Sequence, residues 1–362
     1  MNTVVENEAS GPDLAPPARP GGYRRVFRLM AGASNLYIFL VLLALMALFS
    51  LISPNHSFWG VTNFKNIAWD SSETLLLAIG ETFVIITAGI DLSVGTVLML
   101  SGIVASWVMA ETGGTSQQVA NGVYPHAALA ISLGILAGVL MGVLAGAING
   151  LLVTRLKLPA FIVTLGTYSI AYGFGELIFS EGAAGQNTIP VGPNGFANSF
   201  GADNMMWGIP TMVFAAAVVA VIAHVILTRT IFGRRTFAVG SNLEASRLSG
   251  VPVNVHLWMV YVLGGGMAGL AGIFDLARYQ TIDVSGHATD NLNAVAAVVI
   301  GGTSLFGGVG SILGTVIGAF IPTTLRYGFT IQGVSSFWQD VAVGTIIIVA
   351  VFVDQVRRSR AS

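Results

Sequence analysis

The chain has 362 residues, of which 54% are hydrophobic and 9% charged, with a formal net charge of −1 and no cysteine. Soluble domains carry about 25% charged residues, so this composition argues against a soluble protein and for one membrane body of many spans. Without cysteine there is neither a disulfide framework nor a thiolate metal site, and the near-neutral balance gives no reason to expect nucleic acid as a partner.

Residues 1–30 are rich in Pro and Gly and have no apolar core of their own. They are expected to form a disordered cytoplasmic tail. No apolar segment follows a short basic start, so a secretory signal peptide is not expected. A span needs about 20 mainly apolar residues. Ten candidates follow, near 34–53, 72–90, 93–111, 126–153, 160–180, 208–228, 255–277, 291–303, 310–327 and 337–354. The eighth is short. With the N-terminus inside, ten spans place thirteen Lys and Arg residues on the inner side. They leave Lys65, Arg278 and Arg326 on the outer. The positive-inside rule therefore favours ten spans with both termini cytoplasmic, because nine would put the C-terminal Arg357–Arg358 pair outside.

Glycine recurs at helical spacing within these spans. Gly134, Gly138, Gly142, Gly146 and Gly150 fall in the fourth, and Gly310, Gly314 and Gly318 in the ninth. Small residues at this interval let helices approach closely in lipid, so a compact bundle is expected. Two Gly-rich segments look alike. FVIITAGIDLSVGTVL joins spans two and three, and VVIGGTSLFGGVGSIL joins spans eight and nine. Both read as broken or re-entrant hairpins facing the same side, a weak sign of internal duplication.

No catalytic motif stands out. The two lysines, Lys65 and Lys157, belong to no phosphate-binding loop, and the five histidines show no metal-ligand spacing. Neither a catalytic residue, a metal nor a cofactor is expected. Asp91 interrupts an apolar run between Gly89 and Gly95. It either caps the following helix through amides near Ser93 and Val94 or lines a polar path near an inner gate. Glu81, Ser93, Asn149, Thr164, Thr167, Tyr168, Asn291 and Asn293 are further path candidates. For each of these, an interhelical hydrogen bond is the competing role. Between spans six and seven lies a basic insertion, TRTIFGRRTFAVGSNLEASRLSGVPVNVH. Asn242 is placed to cap a short helix over Leu243 to Ser249, ended by Gly250 and Pro252. Leu243, Leu248, Glu244 and Arg247 would suit docking into a soluble partner, and an ordinary basic loop is the alternative.

GIDLSVG at 89–95 resembles the signature of ABC-transporter permeases of the ribose/xylose/galactose class. The likeness continues through NGLLVTRLKLPAFIVTLGT at 149–167, FAVGSNLEASRLSGVPV at 237–253 and AVAAVVIGGTSLFGGVGSILGTVIGAF at 294–320. It spans nearly all of 35–355. Ala88 departs from it, since the family usually has glycine there, at an expected small cost. Glu81 also stands where the family is often uncharged. The resemblance implies an all-α permease of about ten spans over 34–356, in a bacterial cytoplasmic membrane. It implies two permease chains, cytoplasmic ATPase subunits and a periplasmic or lipid-anchored binding protein that delivers a monosaccharide. Glu244, Ala245, Ser246, Arg247 and Gly250 resemble the family's ATPase-coupling element, within a cytoplasmic segment at 240–251. A path that must release its cargo binds it weakly, so no tight sugar site is expected. The alternatives are an ABC permease for branched-chain amino acids or nucleosides, an ion-coupled transporter using Glu81, and a membrane scaffold.

Overall fold

The computed structural model describes residues 21–180, 196, 205–206, 209–284 and 286–359. Its thirteen α-helices run in chain order as α1 (Gly21–Ile52), α2 (Val61–Ile86), α3 (Val94–Gly113), α4 (Ser116–Ala120), α5 (Ala127–Thr154), α6 (Ala160–Ser180), α7 (Thr211–Arg229), α8 (Ile231–Ser241), α9 (Leu243–Leu248), α10 (Val253–Tyr279), α11 (Asp290–Ile300), α12 (Ile312–Ile331) and α13 (Ser336–Ser359). A two-residue strand pair, Met205–Met206 with Ile209–Pro210, is the sheet among the described residues. Helix α1 begins at Gly21, within the stretch 1–30 expected as a tail. Residues 1–20 lie outside the described ones.

Each of the ten expected spans has its helix. Seven of them (α1, α3, α5, α6, α7, α10 and α12) are long and apolar enough to cross a membrane. Helices α11 and α13 have shorter apolar stretches, while α2 is long but carries Asp70, Glu73 and Glu81. The chain is therefore an all-α polytopic membrane protein.

Helix α5 explains the architecture. Its glycines at 134, 138, 142, 146 and 150 are buried or tightly apposed, while Leu129, Leu136, Leu140, Leu144 and Leu151 point outward. Small residues face protein and large ones face the apolar surroundings, the reverse of a water-soluble amphipathic helix. Gly142 lies against the Gly265 carbonyl and Gly146 against the Tyr261 carbonyl, with no room for a Cβ at either. Helix α10 is thereby pressed onto α5, and Gly272 meets the Leu98 carbonyl of α3 in the same way. Around this α2–α3–α5–α10 centre runs the main core. A smaller core ties α1 to α12 through Ile38, Leu42, Phe49, Phe58, Ile321 and Leu325.

The two similar hairpins share a backbone turn. At the end of α2, Gly89 N donates to Val84 O at 3.1 Å, and at the end of α11, Thr303 N donates to Val298 O at 3.1 Å. The residue before each donor is left-handed, Ala88 at φ 61° and Gly302 at φ 84°. These are helix-ending turns in which one left-handed residue brings the chain back to a free carbonyl. The helices leading into and out of the breaks also join, through Thr82 Oγ1 and Thr315 Oγ1 at 2.7 Å.

Candidate functional site

The break between α2 and α3 holds a buried polar network. Asp91 is 1% exposed. Its Oδ1 accepts from Ser93 N at 2.9 Å and from Ser93 Oγ at 2.6 Å. Asn149 Nδ2, from α5, donates to Ser93 Oγ at 2.9 Å and approaches Asp91 Oδ2 at 3.5 Å. Thr167 Oγ1, from α6, donates to Asn149 Oδ1 at 2.5 Å. Thr164 Oγ1 reaches Ile90 O at 3.4 Å, and Asn291 Nδ2 donates to Leu92 O at 3.1 Å. Asp91 thus holds Ser93, the residue that precedes α3, through both its amide and its hydroxyl. It also anchors side chains from α5 and α6. Gly95 is obligatory here, because a Cβ would sit 2.7 Å from His287 O.

Glu81 lies one level deeper in α2. It is 0% exposed, and neither carboxyl oxygen has a hydrogen-bond partner among the described residues. Tyr261, fully buried, brings its hydroxyl to Gly89, where a Cβ would lie 2.9 Å from it. Sequence reasoning passed over Tyr261, since a tyrosine in an apolar span carries no local signal.

Beyond α7 the basic insertion folds into two short helices. Thr230 caps α8 by accepting from Gly233 N. Asn242 caps α9, its Oδ1 accepting from Ala245 N at 2.9 Å. Gly250, at φ 81°, turns the chain out of α9, with Val251 N donating to Ser246 O at 3.1 Å. Leu248 is 82% exposed, and the Glu244–Arg247 ion pair at 3.2 Å is exposed beside it. Ser246 faces inward. Helix α8 grips the core through Phe232, whose ring lies 5.9 Å from Phe83 and 4.7 Å from His256. At its end Gly240 packs against the Ile86 carbonyl, which also accepts from Gly308 N at 2.8 Å. Gly307 abuts both Ala88 and the Gly240 carbonyl. One spot therefore joins the α8–α9 segment to both breaks.

At the opposite end of α2 lies a cavity of about 360 Å³. Glu73 of α2, Asp275 and Tyr279 of α10, Asn293 of α11 and Arg326 of α12 line it, with His287 and Asp290. Pro322, inside α12, faces it as well. His287 lies between two carboxylates, with Nδ1 at 2.7 Å from Asp290 Oδ2 and Nε2 at 3.4 Å from Asp275 Oδ2. Burial alone would disfavour the charged ring. The bonds to Asp275 and Asp290 outweigh it and push the pKa up to about 11. Glu73, His287 and Asp290 present ligand atoms within 4.8 Å of one another. Behind the cavity, Arg278 pairs with Asp70, which also accepts from Tyr327 OH at 2.6 Å.

Comparison with known proteins decides the family. Residues 63–351 match the family described as branched-chain amino acid transport system / permease component. The chain belongs to this permease family. The permease is 36% identical to the galactose/methyl galactoside import permease protein MglC of Escherichia coli (strain K12), over 89% of this chain and 94% of that one. It is 40% identical to the ribose import permease protein RbsC of Bacillus subtilis (strain 168), over 88% and 91%. With RbsC of Escherichia coli (strain K12) it shares 37% identity over 87% and 92%. No solved structure matches it.

In the permease the candidate path residues fall into four places. Asp91, Ser93, Asn149, Thr164, Thr167 and Asn291 meet at the break. Asn293 lines the cavity at the other end, donating to Asp290 Oδ1 at 3.3 Å. Tyr168 OH reaches Ala288 O at 3.4 Å, in the loop before α11, and buried Glu81 lies in α2 on the Asp91 side. Glu73, Asp275, His287 and Asp290 were not singled out from the sequence. They are remote in the chain and meet only because α2, α10 and α11 converge.

Proposed function

We propose that this permease is the membrane subunit of an ATP-driven importer that carries a monosaccharide, a pentose or hexose, across a bacterial cytoplasmic membrane. The solute class is supported by the relatives, which are named as galactose and ribose import permeases. One observation supports the mechanism: Gly240, at the head of the 240–251 segment, packs on the same Ile86 carbonyl that binds Gly308. A push on α9 would therefore reach both breaks at once. In this reading Glu244, exposed Ala245, Arg247 and exposed Leu248 meet a cytoplasmic ATPase subunit, buried Ser246 keeps the helix seated, and Gly250 supplies the turn. The break end faces the cytosol, as the positive charges require. The cavity end then faces a periplasmic or lipid-anchored binding protein. Two permease copies in the lipid bilayer form the path, and Asp91, Ser93, Asn149, Thr164 and Asn291 stand at its inner gate.

Uptake of labelled sugar into proteoliposomes tests this. Transport should need ATP, the ATPase and the binding protein encoded with the permease. Glu244→Lys and Gly250→Pro should each lower it at least tenfold while the chain still inserts. Normal transport by both variants would remove the coupling assignment. Glu81, buried in α2, favours a second reading, an ion-coupled carrier. Sodium- or proton-driven uptake by the permease alone, lost in Glu81→Gln, would establish that reading instead.

A further inference from the structure

We infer that the cavity between α2, α10, α11 and α12 is a low-affinity subsite for a neutral polyhydroxylated solute, placed where the permease first meets its cargo. This rests on the import reading and adds a sugar-contacting site within the permease itself. At about 360 Å³ the cavity falls in the range that holds small ligands, about 300–1,000 Å³. Among the described residues no Leu, Ile, Val, Phe or Met lines it, so a branched aliphatic side chain would gain little by entering. Carboxylates outnumber cations on its wall even after Arg278 takes up Asp70, which disfavours any solute bearing its own carboxylate or phosphate.

A sugar suits the remaining chemistry. Glu73 reaches His287 Nδ1 only at 3.9 Å, too long for a hydrogen bond. Its acceptor oxygens remain available for a pair of hydroxyls. Asn293 and Arg326 add donors, and the half-exposed ring of Tyr279, covered on one face by Arg278 at 4.8 Å, leaves its other face for the C–H side of a pyranose or furanose. His287 holds Asp275 and Asp290 in place without itself being consumed.

Saturation-transfer NMR on the full-length permease in nanodiscs tests the inference, with D-ribose, D-xylose and D-galactose as probes and L-leucine as control. At least one sugar should give a signal at millimolar concentration and leucine none. Glu73→Gln and Asn293→Ala should each cut that signal several-fold, with thermal melting of the variants unchanged. Silence from all three sugars, indifference to both variants, competition by leucine, or loss of the signal on adding EDTA would each overturn the subsite. Sugar binding that survives alongside ion-driven uptake would instead count against the import reading alone.

Discussion

Ala88 and His287 show how single side chains set the tolerance of the two ends. Ala88 adopts φ 61°, where the matching turn has Gly302 at φ 84°. A left-handed residue with a Cβ costs about 1–2 kcal/mol. Glycine would return part of that to unfolded-chain entropy, about 0.4–1 kcal/mol. Ala88→Gly should therefore stabilise the permease by about 0.5 kcal/mol, read as a small rise in melting temperature in detergent. His287 behaves differently. Its folded pKa of about 11 stands above the ordinary value of 6.5. The stabilisation is complete below about pH 6.5 and is lost as pH rises towards 11. His287→Gln leaves Asp275 and Asp290 without their counter-charge, and breaking a buried pair in this way costs about 3–5 kcal/mol. The variant should melt well below the parent at pH 6. That gap should narrow between pH 8 and 11, and a constant gap would mean that the ring is not charged.

Among the elements, α5 and α9 were the most legible in the sequence, for opposite reasons. The glycine interval of α5 is a one-dimensional pattern, and the contact it implies follows from helix geometry alone. The cap, turn and length of α9 are local chemistry, so Asn242 and Gly250 could be placed without knowing the fold. The helix closes one residue earlier than expected, at Leu248. The acid–histidine cavity is non-local, because Glu73 and His287 are brought together only by packing of α2 against α10 and α11. Two predictions belong at this scale. Gly146→Leu should prevent α10 from seating, since the Tyr261 carbonyl occupies the space, while Leu144→Ala on the outward face should leave folding intact. Monodispersity in size-exclusion chromatography separates the two. Asn242→Ala should loosen α9 by about 1 kcal/mol, seen as faster amide exchange across 243–248 with the spans unaffected.

Across the whole molecule, α2 links the two ends. Glu73 at the cavity and Ile86 at the break lie about 20 Å apart along its axis, at 1.5 Å per residue. Glu81 lies between them, buried and with no hydrogen-bond partner for its carboxyl oxygens among the described residues. The break end is where an outside force can act, because three segments distant in sequence converge on the Ile86 carbonyl. Gly308 holds it by a hydrogen bond and Gly240 by contact so close that any side chain would intrude. A rigid joint of this kind transmits displacement only while its surfaces touch, since packed interiors yield little before they rearrange. Gly240→Val tests that joint directly. Its side chain must push the end of α8 off α2, yet it leaves Leu248, Glu244 and Arg247 on the exposed face of α9 untouched. The ATPase subunit should still co-purify with the variant and still hydrolyse ATP, while ATP-driven sugar uptake falls at least tenfold. Retained uptake would mean that force enters the bundle elsewhere, with Phe232 against Phe83 as the next contact to cut. Loss of co-purification would place the damage in the docking face itself and leave the joint without a role.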